Sequence, residues 1–241
     1  PDVRAVVLTH TGNTFCAGAD LGEALARGAS VEEASAAGTE AMLGVLRTIL
    51  ELRKPVIAAV NGPAVGIGAT LTLPMDIRIA AASARFGFVF GKVGLVPEAA
   101  SSWFLPRVVG ISQAMEWVAT GRVFGAEEAL RGGLVSRVVD DDQLLPTAYA
   151  LAREIVANTS GLAVGAARQL LWSMLGAASP WDAHRADSRA IVELGEGADS
   201  AEGVAAFLEK RPPRFTTPLG DGEVAGVPRW PAPPPDLQPG G

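Results

Sequence analysis

Cysteine occurs once in the 241 residues, at Cys16, so no internal disulfide can form and a reducing, cytoplasmic setting is expected. Histidine occurs only at His10 and His184, far apart and without cysteine partners, which removes the usual basis for a metal site. Positive charge is also scarce. The 20 Lys and Arg against 26 Asp and Glu leave a net charge of -6, which argues against a nucleic-acid partner. No run approaches about 18 consecutive strongly apolar residues, so no membrane span is expected. Nor does a basic start followed by a short apolar stretch mark a signal peptide. What is present is apolar: 49% hydrophobic residues and 19% charged ones suit a substantial core. The length fits one large domain, or one domain with a small appendage.

The chain opens without Met, and Val3–Leu8 reads at once as a buried strand, short and β-branched. A fold whose first residues are already core is expected to be part of a longer polypeptide. Thr39–Arg53 carries Met42, Leu46, Ile49 and Leu50 at helical spacing and ends at Lys54-Pro55, because proline disfavours helical geometry just before it. Val56–Val60 is a second buried strand, stopped by Asn61-Gly62-Pro63. A short helix over Gly68–Leu73 follows, then strands at Ile77–Ala81 and Arg85–Val89. Apolar strands alternating with helices predict an α/β architecture with parallel pairing. From Leu144 the pattern turns helical, over Leu144–Ala157, Gly161–Leu175, Trp181–Leu194 and Ala201–Glu209. Three parts result: an α/β core over 1–142, a helical region over 143–211, and a Pro-rich tail over 212–241 that is ordered only if it docks.

Two glycine-rich turns follow the first two strands. One is Thr14-Phe15-Cys16-Ala17-Gly18-Ala19-Asp20-Leu21; the other is Asn61-Gly62-Pro63-Ala64-Val65-Gly66-Ile67-Gly68-Ala69, which opens a helix. Small residues let a ligand approach the backbone, and free N–H groups at a helix start attract anions. Two such loops side by side can give two N–H groups to one developing oxyanion. Each loop taken alone reads more readily as a tight turn with close helix–strand packing. Neither is a phosphate loop, since no Gly-Lys-Ser/Thr follows. Gly66-x-Gly68 fails the dinucleotide pattern, with Leu71 where the third glycine belongs.

Together these stretches resemble a known family. Arg4-Ala5-Val6-Val7-Leu8-Thr9 with Phe15–Leu21 resembles the first signature of the crotonase (enoyl-CoA hydratase/isomerase) superfamily, and Lys54–Gly62 with Gly66-Ile67-Gly68 resembles the second. Gly121-Arg122, Ala126–Ala129 and Gly133-Leu134-Val135 are similar to the third region, and Glu202–Arg211 to the C-terminal helix. The resemblance runs from about Val3 to Phe215. It implies a crotonase-like spiral of strand-strand-helix repeats, with a repeat ahead of Pro1, and a helical C-terminal region that assembles a trimer or a dimer of trimers. It also implies backbone oxyanion donors at Ala19 and Ile67, with Ala17, Asp20 and Leu21 along the CoA moiety and Lys210, of the same or a neighbouring subunit, near its phosphates. Coenzyme A would enter as part of an acyl-CoA thioester substrate, with no separate cofactor, no metal, no nucleic acid and no membrane involved.

Hydratases of this family use two glutamates, and the resemblance puts those positions at Thr70 and Phe90, neither of which is acidic. A hydroxyl and a phenyl ring cannot supply the acid and base that addition of water needs. A different carboxylate stands at Glu98, in Leu95-Val96-Pro97-Glu98-Ala99-Ala100-Ser101-Ser102. That stretch resembles the peroxisomal type of Δ3,Δ2-enoyl-CoA isomerase, where one glutamate moves a proton between C2 and C4. Phe86, Phe88, Phe90, Val93 and Leu95 are expected to surround Glu98 and raise its pKa. Its plainer role is a carboxylate favoured by a helix start. Asp76 reads as a structural turn carboxylate, His10 as an exposed loop residue, and Arg122 as a structural hydrogen bonder. Trp103, Phe104, Trp117 and Phe124 read as core or acyl-tunnel wall. Ser101 and Ser102 have no histidine to activate them as nucleophiles. Three readings stay open: an isomerase with Glu98 as its one base, an enoyl-CoA hydratase of fatty-acid degradation, and a non-catalytic acyl-CoA-binding subunit.

Overall fold

The computed structural model describes residues 3–18, 26, 42–219, 224–230 and 234. Contacts divide the chain into two compact units, one of Val7–Leu50 with Val56–Ala148, the other of Pro1–Val6, Glu51–Pro55 and Tyr149–Gly241. Among the described residues, strands β1 (Val6–Leu8), β2 (Val56–Val60), β4 (Ile77–Ala81) and β7 (Arg137–Val139) form one sheet in the order β1-β2-β4-β7. Strands β3 (Pro63–Val65), β5 (Arg85–Gly87) and β6 (Val123–Gly125) form a second, in the order β3-β5-β6. The chain therefore deals strands alternately. β2 goes to the first sheet and β3 to the second before the Ile67–Thr70 helix; β4 and β5 repeat this before the 3-10 turn Val89–Val93. The result is an α/β fold of strand-strand-helix units, followed by C-terminal helices.

Pairing is parallel where the apolar runs predicted it: Ile57 lies beside Ile77 and Val60 beside Ala80, and β4 continues in parallel to β7. Every residue of β2 is buried, as a strand covered on both faces requires. The second sheet is mixed, β3 running parallel to β5 and β5 antiparallel to β6. Phe86 and Phe124 meet across that last pair, and Trp117 stacks on Phe124 with centroids 4.2 Å apart. Trp117, Phe124 and Phe104 are buried, whereas Trp103 is only partly so and carries Arg107 over its ring at 4.0 Å.

Arg78 lies inside the buried strand β4. Its guanidinium donates to the carbonyls of Leu134 (2.7 Å), Thr72 (3.2 Å), Leu73 (3.4 Å) and Met75 (2.5 Å). Burial pushes its pKa down to about 10, and Asp76 works against that fall, so the group stays charged at neutral pH. Asp76 itself closes a turn: the Val56 N–H donates to its carboxylate at 2.7 Å, and its own N–H donates to the Val56 carbonyl at 2.9 Å.

The second unit is helical, with Gly161–Met174, Pro180–Gly195 and Ala198–Glu209 close to the ranges read from periodicity. Ser160 and Ser179 cap the first two by accepting from the N–H groups of Ala163 and Trp181. The start of the tail docks within this unit. Thr217 donates its N–H and hydroxyl to Asp199, and Val224 joins Ala166 and Ala190 in a buried cluster. Among the described residues no helix is long and apolar enough to cross a membrane.

Candidate functional site

The two glycine-rich turns meet, and the glycines explain how. Cys16 bridges to Ala64 as a parallel partner; its N–H donates to the Pro63 carbonyl, and its carbonyl accepts from the Val65 N–H, both at 2.9 Å. A Cβ on Gly68 would stand 2.0 Å from the Cys16 carbonyl oxygen, and one on Gly62 2.1 Å from that of Asn13. Only glycine permits this approach. Gly66, at φ 58° and ψ -122°, turns the chain from β3 into the Ile67–Thr70 helix, a conformation that L side chains avoid. Asn61 ties the same loops together by donating to the carbonyls of His10 and Gly12.

Ile67 is the first residue of that helix, so its N–H has no acceptor within the helix. No described backbone carbonyl takes it. Ala17 is exposed and Gly18 half-buried beside Val65. Ala19, Asp20 and Leu21, the other expected members of the first loop, lie outside the described residues. Lys210 belongs to the helical unit, where it is exposed and caps Ala198–Glu209 in a left-handed conformation.

Glu98 comes to the end of the same short helix. The Thr70 hydroxyl donates to Glu98 Oε1 at 2.6 Å, and Thr70 is fully buried. The two residues flagged separately in the sequence, one where an acid is missing and one where an acid is new, are therefore partners. Burial pushes the Glu98 carboxyl above its ordinary 4.5, and the Thr70 hydrogen bond pulls the other way. Glu98 Oε2 is buried without a partner among the described residues. Phe86, Phe88 and Phe90 are buried, but Val93 and Leu95 are 58% and 38% exposed. Val93 and Leu95 therefore do not belong to a buried surround, because the chain turns outward within the 3-10 turn at Gly91 and stays exposed through Val96.

The turn after Glu98 is unusual. Ala99 and Ala100 both have positive φ, 55° and 53°, and the Ser101 N–H donates back to the Glu98 carbonyl at 3.0 Å. Left-handed alanines are disfavoured, so this turn carries backbone strain. Two features escaped sequence reasoning here: Thr70 as the donor to Glu98, and Ser101, whose buried hydroxyl has no partner among the described residues. A threonine amid the small residues of Gly68-Ala69-Thr70 was the available signal for the first. Arg122 pairs with Glu116 and Glu128, and Glu128 also accepts from the Trp117 ring N–H at 2.8 Å. His10 is exposed.

The arrangement thus provides one carboxylate with a free buried oxygen close to a pair of apposed backbone loops. A family model described as enoyl-CoA hydratase/isomerase matches residues 1–218. The enoyl-CoA hydratase ACTT3 of Alternaria alternata is 40% identical over 227 residues, covering 93% of this chain and 75% of the relative. A 1,2-epoxyphenylacetyl-CoA isomerase of Escherichia coli is 40% identical over 229 residues, covering 89% and 81%. A solved enoyl-CoA hydratase structure from Bacillus anthracis matches with a TM-score of 0.82 at 35% identity, over 88% of this chain and 81% of that one.

Proposed function

This chain belongs to the enoyl-CoA hydratase/isomerase family of acyl-CoA enzymes, and on that premise we propose that it isomerises a 3-enoyl-CoA to the 2-enoyl-CoA with Glu98 as its one acid and base. The observation that carries this is the Glu98 carboxylate: buried enough to be a stronger base than an ordinary glutamate, held at Oε1 by Thr70, and free at Oε2. Glu98 takes a proton from C2, and the electron pair of that C–H bond moves toward the thioester oxygen to give an enolate. The backbone N–H groups of Ile67 and Ala19 hold that oxygen. Glu98 returns the same proton to C4 as the double bond settles between C2 and C3. The CoA moiety is assigned to Ala17, Asp20 and Leu21 and its phosphates to Lys210 of the same or a neighbouring subunit, with the chain working as a homotrimer or a dimer of trimers. Coenzyme A enters only as part of the substrate.

The names of the relatives favour a second reading, an enoyl-CoA hydratase, in which Glu98 serves alone where the family's two carboxylate positions hold Thr70 and Phe90. Both readings form an enolate, so the first test is deuterium exchange at C2 of a saturated acyl-CoA. Exchange in the wild type that disappears in Glu98→Gln is the expected result. A folded wild type that binds acyl-CoA without exchange would overturn both and leave a binding subunit. Consumption of 3-enoyl-CoA against 2-enoyl-CoA then separates isomerase from hydratase.

A further inference from the structure

Two oxygen atoms in one turn have no hydrogen-bond partner among the described residues although both are buried: Glu98 Oε2 and Ser101 Oγ. Ser101 is 1% exposed, so water from the surface does not serve its hydroxyl. Leaving a buried hydroxyl and a buried carboxylate oxygen unserved is costly, and folded proteins seldom do it twice in one turn. The hydrogen bond from Ser101 N–H to the Glu98 carbonyl closes a tight turn, which brings the two Cα atoms within about 7 Å. The two side chains therefore leave the backbone from neighbouring positions, which lets a single bound atom be shared between them. The turn is kept against the preference of its two central alanines, Ala99 and Ala100, a kind of strain that collects at ligand sites.

The two groups are complementary. Ser101 Oγ donates one hydrogen bond and accepts others, and ionised Glu98 Oε2 only accepts. A hydroxyl-type oxygen fits between them, receiving from Ser101 and donating to Glu98. We propose that Ser101 and Glu98 Oε2 together bind such an oxygen in the acyl site, so that Ser101 sets which acyl-CoA or which co-substrate the base acts upon. The inference rests on Glu98 being the acid/base. The oxygen has two possible sources. If it is water, the turn supplies the second polar contact that Thr70 and Phe90 do not, and hydration of a 2-enoyl-CoA becomes accessible. Glu98 then takes one proton of the water as its oxygen bonds to C3, the C2–C3 π pair moves into the thioester enolate, and the proton is returned to C2. If it is a substrate hydroxyl, the site selects an acyl chain hydroxylated just beyond C4.

The experiment compares wild type, Ser101→Ala and Ser101→Cys in three assays: C2 exchange on a saturated acyl-CoA, hydration of a 2-enoyl-CoA, and isomerisation of a 3-enoyl-CoA with and without a hydroxyl at C5. A water site predicts about a tenfold loss of hydration in Ser101→Ala, with exchange and isomerisation kept. A substrate-hydroxyl site predicts that wild type prefers the 5-hydroxy substrate about tenfold in kcat/KM and that Ser101→Ala erases the preference. Either outcome supports the assignment. In both cases Ser101→Ala melts at or above the wild-type temperature, since it removes an unserved hydroxyl. Equal losses in every assay, no change in any, or a clearly lower melting temperature in both variants overturns it. Exchange that survives without selectivity sinks Ser101 alone. Absence of exchange in folded wild type sinks the role of Glu98 and this inference with it.

Discussion

Replacing Thr70 by valine removes the donor to Glu98 while keeping the side chain's shape in a fully buried position. A hydrogen bond to an ionised group contributes about 1.5–3 kcal/mol. Glu98 is only half-buried, so water compensates part of the loss and the lower end applies. About 1.4 kcal/mol is a factor of ten. The lost bond stabilises the carboxylate form, so its removal pushes the Glu98 carboxyl further up. The base must be ionised to work. The acid limb of the pH–rate profile of Thr70→Val therefore moves to higher pH. At a pH on that limb the rate falls about tenfold, and the deficit closes as pH rises above it. Thr70→Ser keeps the hydroxyl and should keep the limb near its wild-type place. The assay is kcat/KM across pH with a 3-enoyl-CoA, alongside melting curves that establish folding. A limb that stays put, or a loss equal at every pH, would refute the reasoning, because it would show that the 2.6 Å contact does not govern ionisation of the base.

Glu98→Gln should alter stability with a definite sign. A carboxyl whose folded pKa lies above 4.5 favours the native state fully below that value and loses this advantage as pH rises through the folded pKa. The variant should melt like wild type at low pH and higher than wild type at neutral pH; thermal scans at both ends check this. Arg78→Met leaves the carbonyls of Leu134, Thr72, Leu73 and Met75 without their shared donor, and a loss of about 3 kcal/mol or more is expected as a lower urea midpoint at unchanged slope. Gly68→Ala forces a Cβ toward the Cys16 carbonyl and should lower kcat/KM at least about tenfold, as a small misplacement of a catalytic group can. Gly44→Ala, in the helix over 42–51 with nothing within 4 Å of the new methyl, should instead stabilise by about 0.5–1 kcal/mol.

The strand Val56–Val60 was legible because burial on both faces writes a continuous apolar run, and Ile77–Ala81 because its run is broken only by Arg78. The C-terminal helices were legible because each buries one face. Strand β3 was not. Pro63-Ala64-Val65 reads as the continuation of a turn, and it becomes a strand only through Arg85–Gly87 and the bridge from Cys16 to Ala64. The Thr70–Glu98 pair spans 28 residues, and no local pattern announces a contact between a hydroxyl and a carboxylate so far apart. Arg78 carried a signal that was passed over. A charged residue in an otherwise apolar strand demands buried partners, and the carbonyls of the turn just before the strand, with that of Leu134, supply them. Val93 and Leu95 misled, since apolar residues next to a core segment in sequence need not share its burial.

The close approach of Gly62 to Asn13 and of Gly68 to Cys16 bears on how mutational tolerance will distribute around this site. If the enolate is held by main-chain amides, the residue that lends one of them, Ile67, can change its side chain and keep the amide. A saturation scan would then find Ile67 permissive and its silent neighbours intolerant. The machinery would register in such a map as a ring of forbidden methyl groups around a position open to substitution.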